Sequence, residues 1–196
     1  YWYELKTEYE KIYGEAILRD FDKSKEYLEK MQSYLLAKQE ECPSNVYVAC
    51  TLASVNLELS GDEDGYVEFL ENFLEEFDSS LDDKDKARIY TNIAFCEDYS
   101  KKALEYLTKA CELKSPFAET YTALGLYNFS EYEYSGNVKN LDLSREFFET
   151  AKGIDESYES AMNYAVSLYE LKQYEKAKTI FLDLLRTYPD RMWLKL

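Results

Sequence analysis

Histidine is absent from the 196 residues, and glycine and proline are scarce. Without histidine the chain lacks the commonest general base, the Ser-His and Cys-His nucleophile pairs and the commonest metal ligand. The six glycines and three prolines are too few for a β-sandwich or barrel, in which each strand ends in turn residues. These shortages favour helices joined by short loops and predict a protein that is not an enzyme and holds no cofactor.

Cysteine pairs and long apolar runs are also missing. The cysteines Cys42, Cys50, Cys96 and Cys111 form no C-x-x-C spacing, so we interpret them as reduced, structural thiols. No run of about 18 apolar residues occurs, so we expect no membrane insertion. The sequence begins at Tyr1 rather than methionine, and we expect a piece of a longer chain located in the cytoplasm.

Positive charge is in short supply as well. The 39 Asp and Glu outnumber the 23 Lys and Arg, which leaves a net charge of −16. A phosphate backbone would be repelled, so we expect no nucleic-acid partner, whereas a basic protein would be attracted. One interpretation is that the charge only keeps an exposed chain soluble. The other is an acidic partner for a basic protein, such as an immunity protein or secretion chaperone.

A spacing of four and then three residues recurs in amphipathic segments along the chain. Five segments have it: Ser24, Leu28, Met31; Phe69, Phe73, Glu76; Ala103, Leu107, Ala110; Ser144, Phe148, Ala151; and Ala177, Phe181, Leu184. A second pattern precedes four of these segments. It consists of an apolar residue, a large residue three positions later and a small residue four positions later. Its members are Ala49, Leu52, Ala53; Tyr90, Ile93, Ala94; Tyr121, Leu124, Gly125; and Ala161, Tyr164, Ala165.

The two patterns together resemble the tetratricopeptide repeat, W-x2-L-G-x2-Y, then A-x3-F, then P. The resemblance implies an all-α fold, an α-solenoid of about five stacked helix pairs that forms a single domain over 1–196. The pairs are predicted at 1–20 with 22–41, 45–60 with 65–78, 84–98 with 100–114, 117–133 with 140–153, and 157–171 with 174–187. The resemblance also implies that the first helix of each pair lines a groove for a protein or peptide.

The groove residues are predicted from their helical spacing beside the core positions. They are Tyr47, Cys50, Ser54 and Leu57; Arg88, Thr91, Asn92 and Phe95; Thr122, Leu126 and Phe129; and Met162, Val166 and Tyr169. Some of them are alternatively core residues. Only Arg88 and Asn92 suit the carboxylate clamp by which some tetratricopeptide proteins hold chaperone tails, so that activity is not expected.

The segment from Ser60 to Glu71 has two interpretations. Asp62, Asp64, Gly65 and Glu71 match positions of an EF-hand calcium loop, although Ser60 stands where an aspartate is normally required. This match suggests a calcium-responsive regulator as an alternative function. The other interpretation is a turn between helices in which Asp62 or Asp64 caps the second helix.

Two further segments carry predictions. The stretch 131–140 has a Gly-x-Val like the loop of Sel1-like repeats, and Tyr132 and Tyr134 on it are candidate contact residues, unless the loop is a passive insertion. After Pro189, the segment 192–196 resembles the start of a further helix rather than a polar end. Since a terminal repeat needs a cover, we expect Trp193 to pack on the end of the solenoid or to mediate self-association.

Overall fold

The computed structural model describes residues 21–97 and 100–189, and all regular structure within them is helical. The predicted all-α fold class is therefore confirmed for this part of the chain. In chain order the α-helices are α1 Phe21–Glu41, α2 Val46–Ser60, α3 Glu63–Phe77, α4 Asp83–Cys96, α5 Lys101–Glu112, α6 Ala118–Ser135, α7 Val138–Ile154, α8 Tyr158–Glu170 and α9 Tyr174–Thr187. A short 3₁₀ turn, Asp78–Ser80, follows α3. None of these described helices has the length and hydropathy to cross a membrane.

Polar residues cap the starts of several helices, and glycines end two of them. The Asn45 side chain accepts hydrogen bonds from the backbone N–H groups of Tyr47 and Val48, and so it caps α2. Gly61 and Gly136 end α2 and α6 with φ angles of 68° and 67°. Only glycine takes this left-handed conformation without strain, so these two positions stop the helices.

The described helices form two compact units, the first ending at Cys96 and the second beginning at Glu97. In unit 1, α1, α2 and α3 each pack against the helix that follows, and α2 also contacts α4. In unit 2, α5, α6, α7 and α8 each pack against the helix that follows, and α6 also contacts α8. Contacts between both consecutive and alternate helices are those of stacked helix pairs. We call α2, α4, α6 and α8 first helices and the others second helices, after their order in the pairs predicted from the sequence.

Each unit has an apolar core supplied by the repeated positions. In unit 1, Met31 and Leu35 of α1 pack with Val48, Leu52 and Val55 of α2. In unit 2, a cluster between α8 and α9 contains Tyr158, Ala161 and Leu184, with Met162, Ile180 and Tyr188 packed against it. Most members of the four-and-three spacing, including Leu107 and Phe148, are buried.

One predicted boundary is wrong. The stretch 131–140 was expected to be a loop, but α6 continues to Ser135 and α7 begins at Val138, so only Gly136 and Asn137 connect them. Tyr132 and Tyr134 therefore lie on the last turn of a helix. The expected helix at 1–20 and the expected packing of Trp193 fall outside the described residues, and both stay predictions, as does the extent of a single domain.

Candidate functional site

The motif that recurs in the first helices places one large and one small residue in the core. Leu52, Ile93 and Leu124 are buried, and the small residue after each of them is buried as well. At Gly125 the reason is visible. A Cβ there would lie 2.5 Å from Cδ1 of Phe148 on α7 and closer still to its Cε1. The small residue lets α6 approach α7 closely, which leaves the opposite side of the first helix for other contacts.

In unit 1 the structure brings together three of the predicted groove residues. The Cys50 thiol of α2 lies near the side chains of Asn92 and Arg88 of α4. Burial raises the pKa of Cys50 to about 12, and a hydrogen bond with Asn92 and the charge of Arg88 only partly oppose this rise. This contact joins two first helices on the predicted side of unit 1.

Exposure divides the predicted unit 1 residues into two groups. Tyr47, Ser54, Leu57, Arg88 and Asn92 are half-buried, and Phe95, at 58% exposure, projects furthest into solvent. Cys50 and Thr91, by contrast, are buried, and the Thr91 hydroxyl donates a hydrogen bond to the Ala87 carbonyl at 2.8 Å. These two side chains contribute to packing rather than to an accessible surface, so we leave them out of the candidate site.

In unit 2 the predicted residues form two exposed or half-buried rows. Thr122, Leu126 and Phe129 on α6 are half-buried, as are Met162 and Val166 on α8, whereas Tyr169 is 54% exposed. Met162 also packs against the α8–α9 core cluster, so it serves both surface and core. Because α6 contacts α8, we define these six residues as the unit 2 face.

Two tyrosines show which sides of α6 and α8 are turned towards second helices. Burial raises the pKa of Tyr121 on α6, and nearby Cys111 of α5 adds to the rise. Burial likewise raises the pKa of Tyr164 on α8, and the neighbouring Glu149 carboxylate of α7 adds to it. Tyr121 and Tyr164 thus face α5 and α7, and the unit 2 face occupies other positions around the same helices.

Aromatic residues outside the predicted groove set border the unit 2 face. The Tyr169 ring packs edge-on against Tyr174, the first residue of α9, with ring centroids 5.3 Å apart. Phe129 makes a similar contact with Tyr132 at 6.2 Å. Tyr134 is 92% exposed. Tyr132 therefore belongs with Phe129, and Tyr134 is the most exposed aromatic side chain among those described.

The Ser60–Glu71 segment has the geometry of a helix cap. An Asp62 side-chain oxygen accepts a hydrogen bond from the Gly65 N–H at 2.9 Å, and α3 runs from Glu63 through Glu71. An EF-hand loop instead wraps several alternating oxygens around one ion. Within the described residues, no three Asp, Glu or Cys side chains are grouped to hold a metal ion. The observed cap favours the second interpretation, and Asp62, Asp64 and Glu71 are not brought together as ligands.

Carboxylates next to the unit 2 face were not identified from the sequence. Glu119, three residues before Thr122, and Glu133, four after Phe129, continue the same helical row on α6. Glu159 stands three residues before Met162 on α8 in the same way. All three are exposed. Extending the three-and-four spacing by one step in each direction is the signal that would have found them.

Comparison with known proteins agrees with this architecture. Residues 159–191, which include most of α8 and all of α9, match the family model of the tetratricopeptide repeat. No curated protein matches the chain in sequence. Among solved structures, TTC0263, a thermophilic TPR protein of Thermus thermophilus, is similar with a TM-score of 0.60 and 14% identity over 97% of this chain and 95% of its own.

Two other structures are similar to a comparable degree. PilF of Pseudomonas aeruginosa matches with a TM-score of 0.61 and 21% identity over 82% of this chain and 68% of its own. YrrB, a TPR protein, matches with a TM-score of 0.54 and 18% identity over 85% of this chain and 81% of its own. Identities this low establish the fold alone. Together the matches show that the described residues have the all-helical fold of tetratricopeptide proteins, and residues 159–191 match the repeat itself.

Proposed function

We propose that this chain is a non-catalytic scaffold that binds a protein or peptide on its first helices. The observation that carries the proposal is the unit 2 face, where apolar and aromatic side chains remain half-buried or exposed beside a core of buried residues. Rigid, partly exposed aromatic side chains are typical anchors of protein interfaces. Phe95 offers a comparable exposed ring in unit 1.

The similar structures support this use of the fold. YrrB is described as having an unusual peptide-binding site, and it shares the fold of this chain. Shared fold does not transfer a ligand, so the proposal depends on the faces of this molecule. The first helices have the exposed apolar residues that such a site requires, whereas the metal geometry needed for a calcium regulator is not formed by the described residues.

Site-specific photo-cross-linking tests the proposal. A photo-reactive phenylalanine analogue is placed at Phe129 in the unit 2 face, at Tyr134 on the end of α6, and at Leu182, an exposed residue of the second helix α9. In extracts of the source organism, we expect one partner to cross-link from position 129 and not from 182. Cross-linking from 134 alone would move the site to the end of α6, and cross-linking from 182 alone would contradict the proposal.

A further inference from the structure

We propose that the unit 2 face binds a cationic amphipathic segment, in which lysine or arginine side chains stand beside apolar ones. This inference rests on the proposed scaffold function and names the class of partner. The unit 2 face alone, Thr122, Leu126 and Phe129 with Met162, Val166 and Tyr169, is the surface concerned.

Along α6, the residues of the unit 2 face lie in a row with a carboxylate towards each end. Glu119, Thr122, Leu126, Phe129 and Glu133 follow one another at steps of three, four, three and four, which places them on one side of the helix. An apolar centre is thus bounded by a carboxylate towards each end. On α8 the row of Met162, Val166 and Tyr169 begins after Glu159 with the same spacing.

The charged residues of α6 and α8 are all acidic. Between them α6 and α8 contain the five carboxylates of Glu119, Glu131, Glu133, Glu159 and Glu170, and neither helix contains a lysine or arginine. The adjoining helix α7 contains the cations Lys139, Arg145 and Lys152. Arg145, the one nearest Tyr164, is engaged with Glu146 and Glu149 on its own helix. The nearest cation in sequence, Lys172, lies in the turn beyond Glu170.

The side chains of the unit 2 face indicate which kind of segment it binds. A half-buried apolar row favours apolar side chains of a partner, since their burial removes surface from water. Tyrosine rings such as Tyr169 attract ammonium or guanidinium groups through their faces, and the surrounding carboxylates attract the same groups by charge. An acidic segment would be repelled by the same carboxylates. The charge and the apolar side chains of the face therefore favour a segment that is both apolar and cationic.

Fluorescence anisotropy with defined peptides tests this inference. The probes are labelled twelve-residue peptides of alternating leucine and lysine pairs, the same peptide with glutamate for lysine, and one with glutamine for lysine. We expect the lysine peptide to bind most tightly, and its binding to weaken as salt is raised. Tyr169→Ala should weaken it about tenfold, the effect of losing an interface anchor, and Glu133→Gln about threefold by loss of one charge contact.

Matched variants on second helices control for general effects. Leu182→Ala on α9 and Glu105→Gln on α5 remove an exposed apolar side chain and a carboxylate away from the face. We expect both to bind the lysine peptide as the unmodified protein does. If all four variants behave alike, the net charge of the chain rather than this face attracts the peptide, and the inference is overturned.

The remaining outcomes separate this inference from the scaffold function. Tighter or equal binding of the glutamate or glutamine peptide, still weakened by Tyr169→Ala, overturns the cationic partner and leaves the binding face in place. No binding of any peptide also overturns the inference. The cross-linking experiment then decides the scaffold function, because it makes no assumption about the charge of the partner.

Discussion

Gly125 has no room for a side chain. The ring of Phe148, itself buried, lies where even a methyl group would stand. An aromatic ring in a packed core moves only at a cost, so Gly125→Ala should lower the free energy of unfolding by about 1–3 kcal/mol, and Gly125→Leu by more. Urea denaturation followed by circular dichroism measures the loss.

Gly153 provides the matched control. It lies in the last turn of α7, and a Cβ there would meet nothing within 4 Å. Since alanine favours a helix over glycine, Gly153→Ala should leave stability unchanged or raise it by up to about 0.5–1 kcal/mol. If Gly125→Ala proves as harmless as Gly153→Ala, the close approach of α6 and α7 is not as described.

Ser144 is a second residue whose surroundings predict a measurable change. Its side chain is fully buried, and its hydroxyl finds no hydrogen-bond partner among the described residues. Two other second helices have alanine at the equivalent position, Ala103 and Ala177. Ser144→Ala should therefore raise the free energy of unfolding by about 1 kcal/mol, because it removes an unsatisfied polar group. A loss of stability in urea denaturation would show that the hydroxyl has a partner.

Cys50 should be the least reactive thiol of the chain. Burial raises its pKa to about 12, whereas Cys42 is exposed. In the native protein at pH 8, iodoacetamide should modify Cys42 first and Cys50 last, as mass spectrometry of peptides will show. Because folding raises the pKa of Cys50, its protonated thiol contributes to the free energy of unfolding. This contribution is complete below the ordinary thiol pKa and is lost as the pH rises towards about 12. Early labelling of Cys50 would contradict its burial.

Among the helices, α3 shows how a local signal determines a boundary. The Asp62 carboxylate caps it through the Gly65 N–H, and a Cβ on Gly65 would meet that carboxylate at 2.5 Å. Asp62→Ala should cost about 1 kcal/mol of unfolding free energy, the usual value of an N-cap. Asp64→Ala, which removes an exposed carboxylate in the first turn, should cost less. Thermal melts of these variants, each with and without calcium chloride, provide the measurement.

The two interpretations of the segment predict different melts. A cap predicts that calcium leaves the midpoint of every variant unchanged. A calcium-dependent rise in the unmodified protein that Asp62→Ala abolishes would restore the EF-hand interpretation.

Sequence alone predicted most helices to within a few residues, because the periodic apolar spacing is strong. The predicted 174–187 coincides with α9, and 45–60 differs from α2 by one residue. The end of α6 was predicted wrongly because Glu131, Tyr132 and Tyr134 favour a loop no more than a helix. The stop is instead the left-handed Gly136. A glycine is visible in a sequence, but which polar residues before it remain helical depends on packing.

The candidate site was predictable only in part for the same reason. Cys50, Thr91, Thr122 and Met162 all stand two residues before the large residue of the repeated pattern in their helix, yet the first two are buried and the last two half-buried. Spacing assigns a residue to one side of a helix, whereas its exposure depends on what the neighbouring helices place beside it. The carboxylates around the unit 2 face were overlooked because charged residues on a helix surface are usually unremarkable.

The central claim about the whole molecule is that the first helices bind the partner. Phe95 of unit 1 and Tyr169 of unit 2 are both more than half exposed, so Phe95→Glu and Tyr169→Glu should leave the circular-dichroism spectrum and melting temperature nearly unchanged. The new charge should weaken binding about tenfold or more at whichever of the two positions contacts the partner. Leu182→Glu adds the same charge to an exposed position of a second helix.

The direct measurement is affinity capture from extracts of the source organism, with the bound proteins quantified by mass spectrometry for the unmodified chain and these three variants. We predict that the protein retained by the unmodified chain and by Leu182→Glu is lost from Phe95→Glu or Tyr169→Glu. Equal retention by all of them, or loss from Leu182→Glu alone, would contradict the claim.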